Sequence, residues 1–134
     1  MGLLLKGDGT KVKPATPLET ILGSIVHDVV IANGASLSSA IYKPGQSMIA
    51  IQAPAAFDAG VLTFQGSIDG STYVEIEDAN GITLQATSLG ASKGKSLGQF
   101  ALDLAPWPYL KIRTGTVASP VVQSAARTLE VGTS

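Results

Sequence analysis

The chain has 134 residues, enough for one domain with a real hydrophobic core and too few for two. It contains no cysteine, which excludes a disulfide framework, a thiol nucleophile and a cysteine zinc site. Nine basic against ten acidic side chains leave no positive field for nucleic acid. The charged fraction of 14%, against about 25% in ordinary soluble domains, predicts that neighbouring molecules cover part of the surface.

Residues 1–24 hold Gly2, Gly7, Gly9, Gly23, Pro14 and Pro17 among the mildly basic Lys6, Lys11 and Lys13. The leucine run Leu3-Leu4-Leu5 is too short for a signal peptide or a membrane helix, so a soluble protein made in the cytoplasm is expected, with no membrane partner. Thr16 and Pro17 can cap and open one helical turn. Otherwise the segment reads as an extended N-terminal arm preceding a domain over residues 25–134.

From Ile25 onward, runs rich in Val, Ile, Thr and aromatics recur between clusters of Gly, Pro, Asn and Ser. Strands are predicted near residues 25–32, 39–42, 47–52, 61–67, 72–77, 82–87, 98–104, 109–114 and 121–131. No stretch has the period of an amphipathic helix. Several runs alternate: Leu62 and Phe64 oppose Thr63 and Gln65, Val74 and Ile76 oppose Tyr73, Glu75 and Glu77, and Leu110 and Ile112 oppose Lys111 and Arg113. One core face and one wet face per strand predict an all-β, antiparallel, jelly-roll-like sandwich of eight to nine strands, with a closed barrel as the alternative. Asp69-Gly70 and Asn80-Gly81 are hairpin signals, and Pro44-Gly45 suits a type II turn.

The residues argue against catalysis. His27, the sole histidine, adjoins Asp28 in a β run, and strand neighbours point to opposite faces, so the two cannot support each other as in a triad. Asp69, Glu75, Glu77 and Asp78 do not follow a calcium-loop spacing, and Glu75 and Glu77 share one outward face rather than flanking a cleft. The glycines lack the following helix that a phosphate loop requires. No cofactor or metal is called for. Trp107 and Tyr109, in Ala-Pro-Trp-Pro-Tyr, suit a protein contact better than a sugar platform.

The stretch VVQSAARTLEV, Val121 to Val131, is less regular. Strand alternation places Gln123 and Arg127 on the core face with Val121, Leu129 and Val131. A last strand with a bulge near Ser124 to Ala126 accommodates them. Both side chains then need partners, either neighbouring loops of the same subunit or another subunit.

Leu62-Thr63-Phe64-Gln65-Gly66-Ser67, then Asp69-Gly70-Ser71-Thr72-Tyr73, Tyr109 to Gly115, and Pro120 to Gln123 with Ala125 to Leu129 resemble segments of small proteins encoded among the structural genes of tailed bacteriophages and prophages. The likeness spans about residues 48–131. Its Ser-x-Asp-Gly-x-x-Tyr piece also occurs in discoidin-like sugar-binding sandwiches, whereas the Gln-x-x-x-Arg ending is the phage-like element. The resemblance implies a non-enzymatic virion component, and a capsid decoration or cement protein is the expectation. Such a protein would sit on the capsid surface as a symmetric oligomer, a trimer being favoured, with the major capsid protein as partner. A carbohydrate-binding module of a head or tail fibre and a tail or neck connector are the alternatives. The contact residues expected are Lys6, Lys11 and Lys13 of the arm together with Trp107, Tyr109, Gln123 and Arg127.

Overall fold

In the run YLKIRT the inward Leu110 and Ile112 are fully buried, while Tyr109 and Lys111 are half-buried on the opposite face. The computed structural model describes residues 25–134, so the predicted arm with Lys6, Lys11 and Lys13 lies outside the described residues. The strands are β1 (Ile25–Ile31), β2 (Ile41–Tyr42), β3 (Met48–Gln52), β4 (Gly60–Ser67), β5 (Val74–Glu75), β6 (Ala86–Leu89), β7 (Gly94–Ser96), β8 (Tyr109–Thr114) and β9 (Arg127–Thr133). A 3₁₀ turn at Gly98–Phe100 leads into a single-turn helix, α1 (Ala101–Leu104).

Two antiparallel sheets result. One has the order β1-β9-β3-β7, and the other has β2-β8-β4, with β5 and β6 sharing the remaining edge of β4. Along the chain, β1 and β2 run back against β9 and β8, while β3 and β4 run against β7 and the β5/β6 pair. A two-stranded ribbon wrapped in this way is a jelly-roll sandwich. Val29, Ile31, Ile51, Leu129 and Val131 from the first sheet meet Leu62, Phe64, Leu110 and Ile112 from the second, all at most 1% exposed. At about 25 cal/mol per Å² of apolar surface, this core is the main stabilising term.

Several elements differ from the sequence expectation. Gly98 to Leu104 is helical, not the strand expected there: the turn of helix leaves Leu102 89% exposed while Leu97 and Leu104 are buried. The strand expected at 72–77 shrinks to Val74–Glu75, and Val74, expected in the core, is exposed. Of the strand expected at 82–87, Leu84 and Ala86 face inward while Ile82 is exposed, and the paired strand is Ala86–Leu89. β7 was not expected, because Gly-Lys-Ser carries no apolar signal. The bulge at Ser124 to Ala126 is instead a loop through residue 126, and the last strand begins at Arg127.

Lys43 is the largest fully buried side chain among the described residues. Its ammonium donates to the carbonyls of Gln46 (3.0 Å) and Leu104 (2.5 Å), tying the Pro44-Gly45 turn to the C-terminal end of α1. Gly45 has φ +71°, and Gln46 N–H donates to Lys43 O at 3.0 Å, the type II turn expected there. Burial lowers the Lys43 pKa from 10.5 to about 8. The unfolded chain then binds more protons than the native one between these values, so the stability penalty is full below the folded pKa and is relieved as pH rises. Raising the pH from 7 to 9.5 is therefore expected to increase wild-type stability relative to Lys43→Met, measured by urea unfolding of both proteins at each pH.

Candidate interaction surfaces

Two aromatic residues that enter β8 are seated on glycines. A Cβ at Gly66 would stand 2.6 Å from the Trp107 indole, so this inward position of β4 has to be glycine for Trp107 to lie on the backbone. A Cβ at Gly70 would stand 2.9 Å from the Tyr109 ring, and Gly70 also has φ +82°. The other face of Tyr109 is covered by Tyr42, its cross-strand partner, with ring centroids 4.8 Å apart. Tyr109 is thus clamped between the 67–73 turn and β2, and Tyr42, 60% exposed, carries the free ring face.

The turn itself is organised by Asp69. Its Oδ1 accepts from Ser71 N–H (2.8 Å), Thr72 N–H (2.9 Å) and Ser67 Oγ (3.0 Å), and the backbone bonds foremost hold its pKa low. The carboxylate therefore serves the loop. Beside it, Ile68 and Val74 stand exposed and border a shallow apolar notch with Trp107.

The outer face of the second sheet carries a polar network. Arg113 meets Glu75 through two bonds of 2.6 and 2.8 Å, and Gln65 donates to the same carboxylate at 2.7 Å. The Arg113 hydrogen bonds lower the Glu75 pKa against the opposing effect of burial, with Gln65 adding to the depression. Glu75 is therefore paired within the subunit. Nearby, Lys111 Nζ lies 4.2 Å from the Tyr73 ring centroid, a cation–π contact. Burial is the main cause raising the Tyr73 phenol pKa, followed by the neighbouring Tyr109 and Asp69.

Gln123 and Arg127 lie at the other end of β8. Gln123 is fully buried: its amide donates to Asp58 O (2.9 Å) and Thr114 Oγ1 (3.3 Å) and accepts from Asp58 N–H (2.9 Å). Its backbone bonds Ala35 O and Gly34 N–H at 2.9 and 2.8 Å. One residue thereby joins the 34–35 turn, the 58 loop and the end of β8. Arg127 keeps the inward alternation with Leu129 and Val131, donates to Ser124 Oγ (3.1 Å) and lies 3.7 Å from Asp58 Oδ2. Its Nε is buried without a partner among the described residues. Asp58 has a lowered pKa, chiefly from the Ser124 backbone N–H and then the Ser124 hydroxyl, with Arg127 contributing less.

His27 points inward, its Nε2 3.0 Å from Thr133 Oγ1, while Asp28 sits on the outer face opposite Glu130, so the two diverge as alternation requires. The four described residues expected to make contacts fall into two groups. Trp107 and Tyr109 stand at one end of β8, and Gln123 and Arg127 gather beyond the other, roughly 17 Å away at 3.3 Å per residue. Within each group the side chains serve the fold. The surfaces left open involve Tyr42, Ile68, Val74 and the outer face around Glu75. The sequence signal for them was weak, because an exposed apolar residue looks like any other strand residue. Compared with protein-family models, curated proteins and solved structures, the chain matches none.

Gln123→Leu leaves both backbone groups of Asp58 without partners and is expected to cost about 3 kcal/mol, read as a lower urea midpoint. Arg127→Ala should stay folded, since its ion pair is long and partly solvated; circular dichroism melting checks this. For Glu75, the depressed pKa gives stability that is present above its unfolded value and lost as pH falls through the folded one. Wild-type protein should therefore lose more stability than Glu75→Gln between about pH 5 and pH 3, followed by denaturant midpoints.

Proposed function

We propose that the chain is a non-enzymatic structural component of a tailed-phage virion, a capsid decoration or cement protein. In this reading it is made in the host cytoplasm and ends on the capsid surface, where it binds the major capsid protein as a symmetric oligomer, a trimer being favoured. The observation that carries the reading is the exposure of large apolar side chains on a weakly charged chain. Leu102 is 89% exposed, Ile68 77% and Val26 65%, with only 14% of all residues charged. Burying such side chains against a lattice stabilises the assembly at about 25 cal/mol per Å², which can offset the entropy of association.

The edge of β1 supports the oligomer. Val30 N–H donates to Ser39 Oγ, and Ser39 N–H donates to Val30 O, so the main-chain groups of Val30 point away from β9. By the alternation of an antiparallel ladder those of Val26 and Asp28 point the same way. Closed symmetry would cover an edge that otherwise invites uncontrolled pairing. The resemblance to phage structural proteins supplies the partner class.

Quantitative mass spectrometry of purified particles tests the proposal. A copy number of the same order as the major capsid protein is expected; a few copies per particle would indicate a tail or neck component instead, and absence from particles would refute a virion role.

A further inference from the structure

On the outer face of the second sheet, beyond the contacts considered above, lies a cup of about 230 Å³. Thr63 of β4 forms its floor. Glu75 stands in one wall with Thr83 and Gln85 from the β5–β6 connection, and the Thr116-Val117-Ala118 loop forms the other wall. Three separate chain segments thus converge on one space. The loop is held in place because Thr116 Oγ1 accepts from Ser119 N–H at 2.9 Å and Thr116 N–H donates to Ser119 O at 3.1 Å. Gly115 closes its base with φ +89°, where a Cβ would collide with Ser119 O and with Val121 N at 2.5 Å.

We propose that this cup binds a neutral saccharide unit. Two properties of the walls define the ligand. The first is charge: Glu75 is matched by both Arg113 donors, so the cup presents no free cation to an anion and no free anion to a cation. The second is hydrogen-bonding capacity. An ionised carboxylate offers about four acceptor sites. Arg113 and Gln65 take three of these, two on Oε2 and one on Oε1, leaving Oε1 a fixed acceptor. Thr83 and Gln85 are exposed and make no side-chain hydrogen bond among the described residues. The Thr116 hydroxyl, used only as an acceptor, retains its proton.

An acceptor, two hydroxyls and an amide around a compact space match a ring of hydroxyls that both donate and accept. The volume is below that of a drug-sized pocket, roughly 300–1,000 Å³. It suits a single sugar residue rather than an extended peptide. Val117 and Ala118 supply methyl groups for the C–H face of such a ring. The Glu75 acceptor is preorganised by the Arg113–Glu75–Gln65 network, so little side-chain entropy is lost at that point of the wall on binding.

The site is independent of the virion reading and can fail without affecting it. The test is titration of the full-length protein, followed by ¹H–¹⁵N NMR, with the methyl glycosides of glucose, galactose, mannose and N-acetylglucosamine, and with glucuronate as a charged control. At least one neutral glycoside should give saturable millimolar shifts centred on the Thr83, Gln85 and Val117 amides. Gln85→Ala should weaken that binding about tenfold or more at an unchanged melting temperature. Absence of shifts at those amides with every neutral glycoside, tighter binding of glucuronate, or full affinity in Gln85→Ala would overturn the assignment.

Discussion

The buried amide of Gln123 is the interaction on which the architecture of one end of the sandwich depends. Loops contain backbone N–H and C=O groups that no ladder satisfies, and burying them unpaired is costly. Gln123 supplies a donor and an acceptor to Asp58, and its own backbone closes the turn at Gly34 and Ala35. Thr114 completes the arrangement by donating to Val121 O at 2.6 Å. Connections that belong to both sheets are thereby fixed to the end of β8. Asp58 returns a second set of bonds through Ser124, which holds the chain before it enters β9. A leucine at position 123 would fill the same space while leaving these polar groups unanswered.

The opposite end is fixed by shape more than by hydrogen bonds. Trp107 and Tyr109 lie on Gly66 and Gly70, so a strand and a turn approach the incoming chain more closely than any side chain would allow. Buried Lys43 then anchors the Pro44-Gly45 turn to α1. With both ends secured internally, the surfaces left uncovered among the described residues are the outer sheet face, the β1 edge and the scattered apolar residues. This division leaves a weakly charged domain well determined inside, with large apolar side chains exposed outside.

Strands whose alternation is unbroken were legible in the sequence. YLKIRT forms β8 over the predicted residues, and the predicted 61–67 and 25–32 runs match β4 and β1 to within one residue at each end. Misreadings have local causes. Phe100, Leu102 and Leu104 mimic strand alternation, but the turn of helix buries Leu97 and Leu104 and turns Leu102 to solvent. Gly94-Lys95-Ser96 is a strand only because β3 offers it an edge, and a short edge strand with a lysine carries little signal of its own. Gln123 was recognisable as a polar residue in a core position, whereas its partner Asp58 was not, since nothing local marks residues 65 apart as neighbours. Most of the motifs singled out in the sequence hold residues that serve the frame: Gly66, Asp69, Gly70, Gln123 and Arg127. They speak for the fold, while the Tyr42 ring and the cup beside Glu75 involve residues less visible in those motifs.

Amide hydrogen exchange tests the central claim most directly, because the N–H groups of Gly34, Asp58 and Gln123 lie outside the regular strands and have no sheet to protect them. If the Gln123 hub holds this end of the sandwich, these amides exchange only through global unfolding, as slowly as those of β4 and β8. Exchange at the rate of ordinary surface loops, with the β4 and β8 amides still protected, would contradict the account.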